Sequence, residues 1–212
     1  MSFESWSKLH ERYERQEWID RPSIFAEQMR ELLPLNGDLL DLGAGQGQDS
    51  RFFAENGLRV VSTDISEDAL ERSRSKTPDQ LRDHMQWQQL GLSEPIRFDD
   101  ASFDAVYAHM SLHYFDDATL HRIMCDIHRI LRSGGMIALL VNTVRDPECG
   151  TGESVGHDTF RIHGVMKRFF SPETLRPFIT EFEPVLLDVN GESYKDHAKG
   201  IHHLVRFVGR KV

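Results

Sequence analysis

The sequence predicts an α/β fold, a mostly parallel, doubly wound sheet with helices on both faces. Three observations carry that prediction. Leu39 to Ser66, LLDLGAGQGQDSRFFAENGLRVVSTDIS, sets an apolar run ending in an acid, a glycine-rich turn that opens a helix, and a second apolar run ending in an acid. That order is a nucleotide-binding βαβ unit. Further strand-like runs and helical patterns follow it, as parallel strands with crossover helices require. Met136 to Val141 is an unbroken apolar run, fitting a strand buried on both faces.

Residues 1–34 precede this unit and read as a helical cap. Trp6, Leu9, Tyr13 and Trp18 stand at loosely helical spacing, and a second helix is expected from Pro22 to Leu33 with Ile24, Phe25, Met29 and Leu32 inward. Leu39 and Leu40 form the first strand, with Asp41 at its carboxyl end. A helix runs from about Gly47, with Phe52, Phe53 and Ala54 available for packing, until Asn56-Gly57 stops it. Arg59 to Thr63 rises as the next strand and ends in Asp64. Ser66 then caps a polar surface helix, SEDALERSRSK, whose first-turn acids complement its dipole.

Met85 to Leu90 is expected as the third strand and Phe103 to Ala108 as the fourth. Asp116 caps a helix whose Leu120, Ile123, Met124, Ile127, Ile130 and Leu131 repeat at i, i+3, i+4, i+7, and Gly134-Gly135 is its expected stop. Residues 143–170 are the least regular stretch, with Pro147, Gly150, Gly152 and Gly156, and read as a long loop on the substrate side. Ser171-Pro172 starts a further helix through Phe178. Glu183 to Val189, a turn near Asn190-Gly191 and His203 to Val208 complete the sheet.

At 212 residues, 39% hydrophobic and 28% charged, the chain fits one globular domain with a sizeable core. A net charge of −9 and a pI near 5.6 argue against nucleic acid, whose phosphates need clustered Lys and Arg. The longest apolar run falls far short of the ~20 residues of a membrane helix, and the N-terminus starts no signal-peptide pattern. The expectation is a cytoplasmic protein, monomer or homodimer. Cys125 is expected in the core, and Cys149, in a loop, either in a packing role or as a reactive thiol. The 11 histidines invite a metal, but His109 and His113 lack the third ligand and glutamate of a zinc-protease helix, so none is expected.

The glycine spacing selects the ligand. A dinucleotide fingerprint is G-x-G-x-x-G, and Gln48 occupies its third glycine position; no G-K-[S/T] follows either. What remains is an adenosine ligand without phosphates. DLGAGQG with Asp64 resembles the first two motifs of class I S-adenosylmethionine-dependent methyltransferases, and the likeness continues through FDAVYAHMSLHYF and LRSGGMIALLV. It covers roughly Asp38 to the C-terminus. Within the class, GQGQDSRFFAENG and the late hairpin look most similar to small-molecule enzymes of the tellurite-resistance and thiopurine type.

The resemblance implies a Rossmann-like, seven-stranded sheet ending in an antiparallel hairpin, and S-adenosyl-L-methionine as cofactor, leaving as S-adenosyl-L-homocysteine. It divides the single domain into the cap of residues 1–34, a cofactor-binding core over 35–142, the substrate-side loop over 143–170 and a C-terminal helix and hairpin over 171–212. Asp41 and the backbone of Gly43, Ala44, Gly45, Gln46 and Gly47 then take the amino-acid end of the cofactor, and Asp64 with Ile65 takes the ribose. Asp49 and Ser50 either close the floor under the methionine or, for Asp49, stabilise the helix dipole. The class often holds adenine with an Asp after the third strand. Gly91 stands there, leaving backbone, Gln89, or Leu90 and Leu92 for that task.

His109 and Met110 follow the fourth strand, where His109 is also a candidate cofactor contact. For proton transfer the candidates are His109, His113 and Tyr114. Tyr13 and Trp18 serve either as a lid or as packing. Arg161 and His163, with Lys167 and Arg168, form either a reception for an anionic acceptor or a solvated cluster. The first reading is methyl transfer to a small-molecule acceptor. The alternatives are a non-catalytic S-adenosylmethionine sensor, a nicotinamide-dependent oxidoreductase, and methylation of a protein.

Overall fold

The computed structural model describes residues 19–192 and 201–212. Tyr13 and Trp18, with the first half of the cap, lie outside the described residues. The chain order is α1 (Ile24–Met29), β1 (Gly37–Leu42), α2 (Gln48–Glu55), β2 (Leu58–Asp64), α3 (Glu67–Lys76), β3 (Met85–Gln89), β4 (Phe103–His109), α4 (Asp117–Ile130), β5 (Leu131–Val141), β6 (Glu153–Gly156), β7 (Thr159–Ile162), β8 (Val165–Arg168), α5 (Pro172–Leu175), β9 (Phe182–Glu192) and β10 (His202–Lys211). The main sheet has seven strands in the order β3-β2-β1-β4-β5-β10-β9. The first five are mutually parallel and the last two antiparallel.

Alternation along β1 divides the core. Leu39 faces a cluster with Phe25, Phe53 and Tyr107 under α1 and α2, and Leu40 faces one with Ile123, Ile127 and Leu139 under α4. The helix starts follow residue chemistry. Ser23, Ser66, Asp116 and Ser171 each accept a bond from a backbone N–H of the first turn they precede.

Several expectations are corrected. α1 ends at Met29, and Leu33 is buried where Leu32 is exposed. α4 stops at Ile130, because fully buried Leu131 takes extended backbone and opens β5 opposite Phe103. Gly134 and Gly135 therefore serve a bulge in β5; a Cβ on Gly135 would stand 2.8 Å from the Arg132 carbonyl oxygen. Cys125 is exposed, since it falls between the stripe positions Met124 and Ile127. Asn190-Gly191 is no turn: β9 runs on to Glu192, and a Cβ on Gly191 would lie 2.4 Å from Leu140 Cδ1.

The largest correction concerns residues 143–170. They form a second, three-stranded antiparallel sheet in the order β6-β7-β8. His163 and Gly164, both at positive φ (49° and 79°), make a two-residue turn between β7 and β8. Positive φ at both central residues is the geometry that matches hairpin twist. β8 packs against the short 3-10 turn Leu112–Tyr114 that follows β4.

Candidate functional site

Strand order reverses between β1 and β4, and a cavity of about 760 Å³ opens there at the carboxyl ends of the parallel strands. Open α/β sheets bind ligands at this point because helix starts and strand ends diverge and leave a crevice. The turn after β1 supplies Asp41, Gly43, Ala44, Gly45 and Gln46 to the lining. Gly47 and Ser50 do not line it, and Ser50 stands just below. The Ser50 hydroxyl donates to Asp41 Oδ2 at 2.6 Å.

Asp41 is 2% exposed, and its carboxyl is pushed up to about 8. Burial is the main cause; the Ser50 hydrogen bond opposes it, and the neighbouring Asp49 and Asp64 charges add to it. Asp49 lines the cavity from the first turn of α2, compatible with either expected role, and serves a further purpose as well. Its carboxylate accepts from Ser23 N and Ser23 Oγ, both at 2.7 Å, and from Tyr107 Oη at 2.8 Å, tying the start of α1 to α2 and β4.

Asp64 is buried at the end of β2, where Oδ2 accepts from Gly45 N at 2.9 Å and Oδ1 from Ser66 N at 2.8 Å. Each of its oxygens keeps capacity for a further donor, since an ionised carboxylate has about four acceptor sites. Ile65, Leu90 and Leu92 form an apolar slot beside it. Gly91 is not part of the lining; a Cβ there would lie 3.5 Å from Ile65 Cδ1, which is, and Ser93, which the sequence did not single out, lines the wall.

At the end of β4, Met110 takes φ 56°, a left-handed conformation that a side chain adopts at a cost of about 1–2 kcal/mol. The turn is fixed on both sides: Met110 N bonds Leu140 O, and Ser111 Oγ donates to Leu42 O at 2.6 Å. His109, Met110, His113 and Tyr114 all line the cavity. The His113 ring lies against Tyr114, tilted by 47° with centroids 4.1 Å apart. Burial, then the Lys167 and His109 charges, drive its imidazole down to about 3. It is therefore neutral at any ordinary pH and a weak base.

The expected cationic reception for an anion does not assemble. Arg161, on the middle strand β7, and His163, in the turn after it, lie outside the lining. Arg161 pairs with Glu153 at 3.1 Å, and Arg168 pairs with Asp117 and covers the Phe170 and Phe178 rings. Lys167 does reach the cavity, but Glu148 holds it at 2.6 Å. Cys149 is half-buried and its thiol is pushed up by burial and by Asp158 and Asp146, which argues against a reactive thiolate. Among the described residues no three His, Cys, Asp or Glu side chains converge as metal ligands. No described helix is long and apolar enough to cross a membrane.

A reversed parallel sheet, an acid at the end of β1, a glycine turn and a second acid at the end of β2 define a nucleoside-binding α/β protein. Comparison with known proteins makes this specific. Residues 40–139 match a family described as methyltransferase domain. An uncharacterised methyltransferase of Mycobacterium tuberculosis is 36% identical over 143 residues, 65% of this chain and 55% of that protein. A malonyl-[acyl-carrier protein] O-methyltransferase of Hamiltonella defensa is 32% identical over 111 residues, 50% of this chain and 40% of that one. The structure of a Burkholderia thailandensis 1,6-didemethyltoxoflavin-N1-methyltransferase, with that compound and S-adenosylhomocysteine bound, superposes with a TM-score of 0.70 at 20% identity, covering 100% of this chain and 91% of that one.

The chain spans about half the length of the curated relatives it matches. The matched stretch is a methyltransferase domain, and the fold is the one that solved S-adenosylmethionine-dependent methyltransferases share. The residues present fit that cofactor. Asp41 is a buried acid repelled by two neighbouring acids, and an ammonium group supplies the countercharge it lacks. Asp64 retains acceptor capacity for hydroxyl donors, and the slot beside it suits an aromatic base.

Proposed function

We propose that this chain transfers a methyl group from S-adenosylmethionine to a small-molecule acceptor. The reading rests chiefly on the cavity, which Asp41 and Asp64 line together with Val165, Met166 and Lys167 of β8. Its volume of about 760 Å³ is in the range that small-molecule sites take.

In this reading the core over 35–142 binds the cofactor, and the small sheet within 143–170 faces the acceptor. Asp41 holds the ammonium, the Gly43 to Gln46 backbone the carboxylate, Asp64 the ribose, and Leu90, Leu92 and Ser93 the adenine. When bound, the cofactor would supply an electrophilic methyl on a positive sulfur; the acceptor lone pair would form the new bond as the C–S bond breaks with its electron pair, and a proton carried by the acceptor atom would pass to solvent. The protein's contribution is orientation and exclusion of water; orientation can supply on the order of 7–11 kcal/mol. His113, neutral and buried, positions the acceptor rather than deprotonating it. The acidic net charge of −9 supports a protein without nucleic-acid partners; a cytoplasmic monomer or homodimer completes the reading.

Calorimetric titration with S-adenosylmethionine, S-adenosylhomocysteine and NAD in parallel tests the cofactor half of this reading. Both sulfur compounds should bind and NAD should not. Asp64→Ala should weaken binding by ~1.5–3 kcal/mol, the worth of a charge-assisted hydrogen-bond partner. NAD binding without either sulfur compound would return the chain to the oxidoreductase alternative.

A further inference from the structure

We infer that the acceptor is an uncharged molecule bearing an N–H or O–H group, and that His113 and Asp146 are the residues that hold it. The inference rests on the methyl-transfer reading and deepens it. Two observations carry it independently. The first is unsatisfied hydrogen bonding. His113 is 1% and Asp146 4% exposed, both line the cavity, and His113 Nδ1 and Asp146 Oδ2 are each buried without a partner. Buried polar atoms are nearly always paired, so two orphans on residues that line one cavity point to a ligand's polar group.

The local chemistry restricts what the ligand is. Asp146 Oδ1 is already committed to Glu148 N at 2.8 Å, which leaves Oδ2 for a donor. A neutral imidazole nitrogen can donate or accept as its tautomer requires. The second observation is charge. Lys167 is the one cation lining the cavity among the described residues, and Glu148 holds it at 2.6 Å. An anionic acceptor would therefore face Asp146 and Asp116 while Lys167 is already neutralised by Glu148, leaving the cofactor's sulfur as its sole countercharge among the described residues and ligand. A cationic one would be driven against the positive sulfur of the cofactor. An uncharged donor-bearing group satisfies Oδ2 and Nδ1 and meets neither penalty.

The test uses the full chain and four probes that share one ring: benzamide, benzyl alcohol, benzoate and benzylammonium. S-Adenosylhomocysteine is titrated first, and if it fails to bind, the methyl-transfer reading itself falls. Given binding, the saturated protein is titrated with each probe by ligand-observed NMR. Benzamide and benzyl alcohol should bind at least about tenfold more tightly than benzoate, and, with S-adenosylmethionine in place of S-adenosylhomocysteine so that the sulfur is positive, than benzylammonium. His113→Phe and Asp146→Asn should each weaken the neutral probes about tenfold and leave S-adenosylhomocysteine affinity in place. Asp146→Asn should also narrow the discrimination against benzoate, which loss of a merely structural contact would not do. Benzoate binding as tightly as benzamide, no probe binding at all, or neutral probes indifferent to both variants would overturn the inference. Should His113→Phe fail to fold, Asp146→Asn decides alone.

Discussion

Gly47 shows how a motif residue can be required for a reason other than the ligand. It stands at φ 70° at the start of α2, and a Cβ there would lie 1.9 Å from Ser73 Oγ on α3. The Ser73 hydroxyl also accepts the Trp87 indole N–H at 2.9 Å, so it cannot rotate away without cost. Gly47→Ala should therefore lower stability by ~2–5 kcal/mol, combining left-handed strain with overpacking. Thermal unfolding should show the loss, while S-adenosylhomocysteine affinity stays within about fivefold, because Gly47 does not line the cavity. A variant that unfolds normally but no longer binds would mean the glycine serves the ligand after all. Asp49 teaches the same lesson from the acidic side: its three donors come from Ser23 and Tyr107, far away in sequence, so no local pattern could reveal them.

At the level of elements, β6, β7 and β8 behave as an attachment to a self-sufficient sheet. Their two ends leave the core side by side, where Thr143 pairs with Phe170. Replacing residues 148–166 by a short Gly-Ser linker should thus leave cofactor binding within about fivefold. Stability should fall by a few kcal/mol, at ~1.5–3 kcal/mol for uncovering a large side chain such as Phe169. Benzamide binding to the saturated protein should be lost, and its survival would remove the small sheet from the acceptor site. These strands were illegible in the sequence for a physical reason. Each has 4 residues, and their Gly156 and Gly164 read as loop. By contrast β1, α2, β2 and α4 were legible because burial on one or both faces imposes a period on their apolar residues. The cofactor side was legible from Asp41 to Asp64 since one continuous βαβ unit carries it. The acceptor side was not: Asn142, Asp146 and Lys167 meet His113 only through the packing of β8 on the turn after β4.

For the molecule as a whole, two buried groups set opposing pH dependences. Asp41 holds its proton up to about 8 when folded, against an ordinary 3.8. Its contribution is therefore present at low pH and is lost as pH rises from about 4 through 8; burial pushes Asp146 the same way. His113 resists protonation down to about 3 against 6.5, so its contribution is lost as pH falls below 6.5, and His128 acts in the same direction. From about pH 4 to 6.5 the two slopes offset each other. Above 6.5 Asp41 acts alone, and ~1.4 kcal/mol per pH unit should disappear, about 2 kcal/mol by pH 8. Urea unfolding at pH 4.5, 6.5 and 8 measures this. His113→Phe should make stability decline from pH 4.5 upward, and an unchanged profile would mean that the imidazole titrates normally. The sheet order has one more consequence, for how the protein is made. β9 precedes β10 in the chain yet pairs only with β10, which in turn lies against β5. On a ribosome β9 therefore emerges before the only strand it can pair with, and one edge of the domain stays open to chaperones, or to a neighbouring nascent chain, until β10 follows.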